Sequence, residues 1–151
     1  MNVQMSSVAE LEHDPGLAAL LVEYAAESSI AGMPVPAARM DSYRELEARG
    51  LLRVLSAIHD GRLIGFLTLL VPVLPHYGVA VAVSESFFVA LAHRGTGAGL
   101  KLLRAAEDLA RRLGSPGLLV SAPFEGNLFK VLPRVGYTET NRVFFKKVSD
   151  G

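Results

Sequence analysis

The sequence predicts a mixed α/β (α+β) fold, in which helices pack on the faces of a central sheet. Residues 51–91 hold three apolar runs joined by turn signals, which is typical of an antiparallel meander of strands. Residues 97–113 repeat apolar side chains at helical spacing, and another apolar run, "LLVSAP", follows them. Strand and helix patterns therefore alternate after the meander, which indicates a mixed sheet covered by helices.

The first 50 residues carry one strand pattern and two helix patterns. The run "MNVQMSSVAEL" predicts a first strand. Asp14 is a candidate N-cap and Pro15 suits the first position of a helix over "GLAALLVEYAAES". A second helix over "AARMDSYRELEARG" is predicted to end at Gly50, and the proline-containing loop "SSIAGMPVPAARM" joins the two helices.

Turn residues divide the remainder of the chain. Asp60 and Gly61 predict a tight hairpin between the first two strands of the meander, because glycine tolerates the positive φ that such a turn needs. The segment "PHYG" marks a second turn before the strand "VAVAVSESFFVAL". After the strand "LLVSAP", a short helix "GNLFKVL" is predicted to stop at Pro133, and "GYTETNRVFFKKV" to form a final strand or hairpin.

Composition narrows the classes of function. Fifteen basic residues balance fifteen acidic ones, which gives no electrostatic reason to expect nucleic acid or a membrane as a partner. The absence of cysteine excludes a thiolate nucleophile, and the four scattered histidines give no reason to expect a metal. The start of the chain does not resemble a leader, and prolines interrupt its most apolar region. We therefore expect one cytoplasmic domain covering residues 1–151.

A glycine-rich segment, "RGTGAG", stands where the helix over residues 97–113 begins. The first amides of a helix have no partner within the helix, and the helix dipole places partial positive charge there. Bare glycines and the cation of Arg94 therefore favour a bound phosphate or pyrophosphate, the alternative being a loop that uses glycine only to turn. The P-loop and dinucleotide motifs do not fit, because Leu102 follows Lys101 and Leu100 occupies the third glycine position.

The same segment resembles the arginine-x-x-glycine-x-glycine signature of the GNAT superfamily of N-acetyltransferases. "ESFFVALAHRGTGAGLKLLRAAEDLARRLG" looks like the family's fourth strand, pyrophosphate loop and third helix. "LLVSAPFEGNLFKVLPRVGY" is similar to its fifth strand and fourth helix, ending in a Gly-aromatic pair. The resemblance covers about residues 51–148. It implies a GNAT fold, in which a central, mostly antiparallel sheet is splayed between its fourth and fifth strands and flanked by about four helices.

The resemblance also implies an activity and a cofactor site. It implies direct transfer of the acetyl group of acetyl-CoA to a primary amine of a small molecule or protein, often by a homodimer. Val89 would stabilise the oxyanion through its amide, and Asn127 would contact the pantetheine, although it stands closer to Gly136 than the family's asparagine does. The residues implied along the fourth strand and the signature loop are Phe88, Val89, Ala90, Leu91, Arg94, Gly95, Thr96, Gly97, Ala98, Gly99 and Leu100.

Glu85 is the candidate catalytic base. It is an acidic residue inside the apolar run "VAVAVSESFF", so that its carboxylate must be satisfied by partners or face an open cleft. The alternative is a glutamate at the edge of a strand or on its outward face. The position of the family's general-acid tyrosine is occupied by Leu132, so another group, such as Tyr77 or Ser121, or water must protonate the leaving thiolate.

The acceptor itself is not indicated by any motif. Met33 in the proline-containing loop and His76 and Tyr77 in the "PHYG" turn are candidate acceptor contacts, although two polar tips on an exposed turn explain the last pair equally well. Two other functions stay open. A non-catalytic acyl-CoA-binding sensor of the same fold agrees with Leu132, and a nucleotide binder outside this family agrees less well, since its motifs fail.

Overall fold

The computed structural model describes residues 1–150. The strands are Asn2–Ser6 (β1), Leu52–His59 (β2), Arg62–Leu70 (β3), Val73–Leu74 (β4), Val79–Ala80 (β5), Ala82–Val89 (β6) and Leu118–Leu119 (β7). The α-helices are Val8–His13 (α1), Leu17–Ser28 (α2), Met40–Ala48 (α3), Ala98–Arg112 (α4) and Asn127–Val131 (α5). No helix within residues 1–150 has the length and apolar character needed to cross a membrane.

The main sheet has the strand order β1-β2-β3-β6-β7, and β4 and β5 pair separately. All its neighbours are antiparallel except β6 and β7, which are parallel. The fold class predicted from the sequence is therefore confirmed. Strand β7 pairs with β6 only through Leu118 and Leu119, opposite Ala82 and Val83. Since β6 continues to Val89, the two strands separate beyond this point and leave a notch between them.

Helices cover both faces of the sheet, which explains the continuous apolar runs of β2 and β3. On one face, Leu102 and Leu109 of α4 belong to the same buried cluster as Leu55, Leu67 and Leu69 of the sheet. On the other face, α1 and α2 bury Val8, Leu11, Leu17 and Leu20 against Val54, Phe66 and Phe88, while α3 packs at the edge of this cluster. The layer made by α1, α2 and α3 forms one wall of the candidate site.

The structure corrects the start of the chain. The predicted strand over residues 1–11 ends at Ser6, because Ser7 caps a helix instead. The Ser7 hydroxyl accepts the Glu10 amide and the Glu10 carboxylate accepts the Ser7 amide, each at 3.0 Å, which is a capping box. Asp14 accepts the Gly16 amide at 2.7 Å within a turn, so that α2 begins at Leu17 rather than at Pro15.

The meander follows the prediction in outline. Asp60 and Gly61 make the expected hairpin turn, with φ of 50° and 73°. The third apolar run is divided into β5 and β6 rather than forming one strand, because the Val81 amide bonds to the carbonyl of Pro72 at 3.0 Å. The predicted strand "LLVSAP" is reduced to the two residues of β7.

The predicted final strand is wrong. A short 3₁₀ turn, Leu132–Val135, follows α5, and residues 137–150 contain no helix or strand. A strand needs a neighbour to satisfy its backbone, and β7 is too short to offer an edge here. Instead, Phe145 and Lys147 lie against Gly32 in the loop after α2.

Candidate active site

A cleft of about 620 Å³ opens between the helices α1 to α3 and the sheet. Its floor is formed by side chains of β2, β3 and β6, among them Phe66, Thr68 and Glu85. Helix α2 and the loop residues 36–38 form its walls. This volume lies within the range of small-molecule sites.

The Glu85 carboxylate is held in this cleft by three hydroxyl groups. Tyr43 of α3 donates to Oε1 at 3.1 Å and to Oε2 at 2.9 Å. Thr68 and Ser86 each donate to Oε2 at 2.8 Å. Both conditions expected from the sequence are therefore met, since the carboxylate has hydrogen-bond partners and Glu85 is also exposed to the cleft.

A β-bulge explains how Glu85 reaches the cleft. Thr68 pairs with Ser86 and the next residue, Leu69, pairs with Ser84, so that Glu85 has no partner residue across the sheet. In a regular strand, adjacent side chains point to opposite faces. The bulge places both Glu85 and Ser86 on the cleft side. Thr68 fixes this geometry, because its hydroxyl also accepts the Ser86 amide at 3.0 Å.

Tyr43 is the partner of Glu85 that the sequence analysis missed. Burial, followed by the nearby Glu85 carboxylate, raises the pKa of the Tyr43 hydroxyl to about 12. The hydroxyl therefore remains a proton donor throughout the neutral pH range. No local pattern marked this residue, since it is 42 positions away from Glu85 in the chain. Thr68 and Ser86 did carry a signal, namely hydroxyl side chains within apolar strands.

The second half of β6 presents unpaired backbone to the notch. The Ala90 amide donates to the carbonyl of Ile64 in β3 at 2.8 Å. Because backbone groups alternate in direction along a strand, the amides of Phe87 and Val89 point the other way, toward the notch. Strand β7 ends before it reaches them. An extended chain or a carbonyl oxygen in the notch would meet free donors here.

The glycine-rich loop opens the start of α4. Gly95 and Gly97 have φ of 85° and 87°, and no atom lies within 4 Å of the position that a Cβ would occupy on either. The Lys101 amide donates to the carbonyl of Gly97 at 3.0 Å, and helix geometry leaves the preceding amides of Gly99 and Leu100 without an acceptor in the helix. This arrangement fits a phosphate-bearing group, because side chains would otherwise block access to these amides.

Arg94 has a different set of contacts from the one expected. Its guanidinium donates to both oxygens of Glu27 in α2, at 2.7 and 2.8 Å, and its Nε donates to the carbonyl of Val89 at 3.2 Å. It also lies 5.1 Å above the centre of the Phe88 ring. The Glu27 hydrogen bonds raise the pKa of Arg94. Its charge is thus paired within the chain, and the loop amides are the groups that face outward.

The three candidate acceptor contacts lie outside the cleft. Met33, His76 and Tyr77 are exposed and are not among its lining residues. His76 and Tyr77 contact each other in the turn between β4 and β5, with ring centres 5.0 Å apart. Residues 36–38 of the same loop as Met33 line the cleft instead.

The remaining candidates lie around α5. Asn127 is the first residue of this helix, and Leu132, at the tyrosine position, is buried with 8% of its surface exposed. The Ser121 amide donates to the Ser84 hydroxyl at 3.3 Å. Tyr137 donates to Glu107 at 2.8 Å, and burial raises its pKa. Tyr137 is therefore engaged with α4 rather than with the cleft.

The chain thus combines a sheet in which β6 and β7 part, a helix start with unpaired amides and a carboxylate that is open to a cleft. The sequence of residues 17–128 matches the model of the acetyltransferase (GNAT) family, so this chain belongs to that family. Among curated proteins, no sequence matches the chain significantly.

Solved structures share the fold at low sequence identity. A ribosomal-protein-alanine N-acetyltransferase from Brucella melitensis biovar Abortus 2308 is 19% identical, with a TM-score of 0.72 over 98% of this chain and 100% of that one. An aminoglycoside 6'-N-acetyltransferase from Acinetobacter haemolyticus is 23% identical, with a TM-score of 0.66 over 99% and 100%. The aminoglycoside N-acetyltransferase AAC(6')-Iy, in complex with CoA, is 20% identical, with a TM-score of 0.72 over 98% and 99%.

Proposed function

We propose that this chain is an N-acetyltransferase that moves the acetyl group of acetyl-CoA to a primary amine bound in the cleft. The observation that carries the proposal is the position of Glu85. Its carboxylate opens into the cleft from β6, the same strand that borders the notch and leads to the glycine-rich loop. The CoA complex of AAC(6')-Iy, which has the same fold, supports the choice of co-substrate.

Acetyl-CoA binding is assigned to backbone groups. The amides of Gly99 and Leu100 at the start of α4 would receive the pyrophosphate, with the bare backbone of Gly95 and Gly97 allowing its approach. Residues 88–91, at the edge of the notch, would line the pantetheine, and Asn127, the first residue of α5, is a further candidate contact. Acetyl-CoA supplies the activated thioester.

The cleft residues would handle the proton of the amine. Glu85 accepts a proton from the amine nitrogen, which can then form its bond to the acetyl carbon while the carbon–sulfur bond breaks. The Val89 amide, which points into the notch, would stabilise the negative charge on the acetyl oxygen. As the amide forms, the nitrogen gives its second proton to water, and the departing thiolate takes a proton from water, because Leu132 has none to give. The products are an amide and free CoA.

Calorimetric titration with acetyl-CoA, followed by an assay of CoA release across a panel of amines, tests the proposal. We expect binding, and release with at least one amine. Absence of acetyl-CoA binding would contradict the proposal. Binding without release for any amine would instead favour an acyl-CoA sensor, the second candidate, which the buried Leu132 supports.

Gly97→Glu tests where the pyrophosphate binds. It places a negative charge beside the first amides of α4, and we expect acetyl-CoA affinity to fall by at least about 100-fold. Gly97→Gln is the matched control, because it has the same size and the same backbone cost at positive φ without the charge. Equal losses of affinity in both variants would show that the charge of the ligand lies elsewhere.

A further inference from the structure

We propose that the acceptor is a primary amine with a single positive charge and an apolar body, such as an arylalkylamine or a branched alkylamine, rather than a polycation. The inference rests on the proposed function and specifies the substrate class of the same cleft. It follows from the charge, the hydrogen bonding and the apolar character of the lining.

The cleft offers one site for a cation. Of its 18 lining residues, Glu85 alone carries a formal charge. A second ammonium group brought into this space would lose its water without gaining a partner, which is unfavourable. Polyamines and aminoglycosides carry several such groups, and the cleft therefore selects against them.

Acidic residues of the surrounding helices do not supply a second site. Glu12 of α1 is paired with Arg44. Glu47 of α3 accepts the Val8 amide at 2.9 Å. Glu27 of α2 is paired with Arg94. These carboxylates hold the walls of the cleft together, and none of them lines it.

The two oxygens of Glu85 are not equivalent. Oε2 accepts hydrogen bonds from Tyr43, Thr68 and Ser86, at 2.8 to 2.9 Å. Oε1 has one contact, the longer one to Tyr43 at 3.1 Å. A carboxylate has about four acceptor positions. Oε1 can therefore accept a hydrogen bond from one ammonium group. The three hydroxyls bonded to Oε2 fix the direction in which Oε1 points.

The rest of the cleft is mainly apolar up to its rim, with Tyr24 and Ser28 as its other polar side chains. Twelve of the 18 lining residues are aliphatic, phenylalanine, methionine or proline side chains. At the rim, Val22 of α2 lines the cleft although 73% of its surface is exposed. The adjoining loop exposes Ile30 and Val35 as well, at 52% and 81%. Burial of such surface by an apolar ligand is favourable, because it removes apolar surface from water.

A panel of amines tests the inference directly. We expect kcat/KM for 2-phenylethylamine and isopentylamine, measured by CoA release, to exceed that for spermidine and kanamycin by about 100-fold or more. Similar or better turnover of either polycation would overturn it. A preference for a short peptide with a free N-terminal alanine would also overturn it, because such a peptide brings polar backbone amides into the cleft together with its amine.

Val22→Glu tests the charge argument at a position where the exposed side chain makes loss of folding a minor risk. We expect this variant to lower kcat/KM for 2-phenylethylamine and to raise it for spermidine, shifting their ratio by about tenfold or more. Val22→Gln is the control of equal size, and it should not favour spermidine. An unchanged ratio in Val22→Glu would contradict the inference.

Binding measured by ligand-observed NMR separates this inference from the proposed function. One outcome is that 2-phenylethylamine binds the wild type and is not displaced by spermidine, while no amine is acetylated. The substrate class then stands and the catalytic proposal fails. If kanamycin or spermidine is acetylated and 2-phenylethylamine does not bind, the enzyme stands and the substrate class is wrong.

Discussion

Replacing Glu85 by glutamine preserves the shape of the side chain and removes its capacity to accept a proton. In the structure, three hydroxyls donate to this carboxylate. A glutamine oxygen can still accept hydrogen bonds, so the variant loses mainly the charge assistance. Bonds to charged groups contribute about 1 kcal/mol more than neutral ones. With three such bonds at an exposed residue, we expect the free energy of unfolding to fall by about 1–3 kcal/mol.

The expected effect on the reaction is of a different kind. General-base catalysis contributes about 10²–10⁴-fold, so kcat at neutral pH should fall by this factor while acetyl-CoA affinity stays within about threefold of wild type. The loss should shrink as the pH approaches the pKa of the free amine, because the neutral amine then needs no base. CoA release under saturating acetyl-CoA measures kcat, and urea denaturation measures stability.

Ser86→Ala provides the matched comparison, because it removes a hydrogen bond to the same oxygen, leaves the carboxylate in place and keeps the Thr68 hydroxyl that accepts the Ser86 amide. We expect a stability loss similar to that of Glu85→Gln and a decrease in kcat of less than about tenfold. If Glu85→Gln keeps kcat within threefold of wild type at neutral pH, or if the two variants lose kcat equally, Glu85 is not the base and the reasoning from the hydroxyl cluster is refuted.

Three further predictions concern stability. Leu102→Ala, at a fully buried position of α4, should cost about 2–5 kcal/mol in urea denaturation, whereas Arg104→Ala on the exposed face of the same helix should stay within about 0.5 kcal/mol. Ser7→Ala removes the cap of α1 and should cost about 0.5–2 kcal/mol, whereas Ser42→Ala, an exposed serine outside any cap, should not. Burial raises the pKa of Tyr43 from 10.0 to about 12. The stability that the protonated Tyr43 hydroxyl contributes is therefore fully present below pH 10 and is lost as the pH rises toward 12. Between pH 10 and pH 12 the denaturation midpoint of Tyr43→Phe should therefore fall less than that of the wild type. Equal decreases would contradict burial of Tyr43 as the cause of its raised pKa.

Local signals predicted the parts of the fold that depend on neighbouring residues. The Asp60-Gly61 hairpin, the α4 helix and the order of the central strands each follow from turn chemistry or from apolar periodicity over a short window. The glycine-rich loop was predicted for the same reason, since bare residues at the start of a helix are visible in six letters of sequence.

Features that depend on distant partners were not predicted. The hydroxyl cluster joins Tyr43 to Glu85 through the packing of α3 on the sheet, and the bulge that exposes Glu85 depends on the register between β3 and β6. The ion pair of Arg94 depends in the same way on α2. Residues 137–150 show the converse, because their strand-like sequence has no neighbouring edge to pair with.

Two sides of helix α2 contact different parts of the protein. Glu23 accepts the Leu91 amide at 3.1 Å and Glu27 holds Arg94, so this side braces the segment that leads into the glycine-rich loop. Leu21 and Val22 face the cleft. For an engineer who wishes to change the acceptor, the helix thus divides into positions to randomise and positions to keep. A library that varies the cleft side and holds both glutamates constant would change the surface that lines the cleft and keep the contacts that brace the glycine-rich loop.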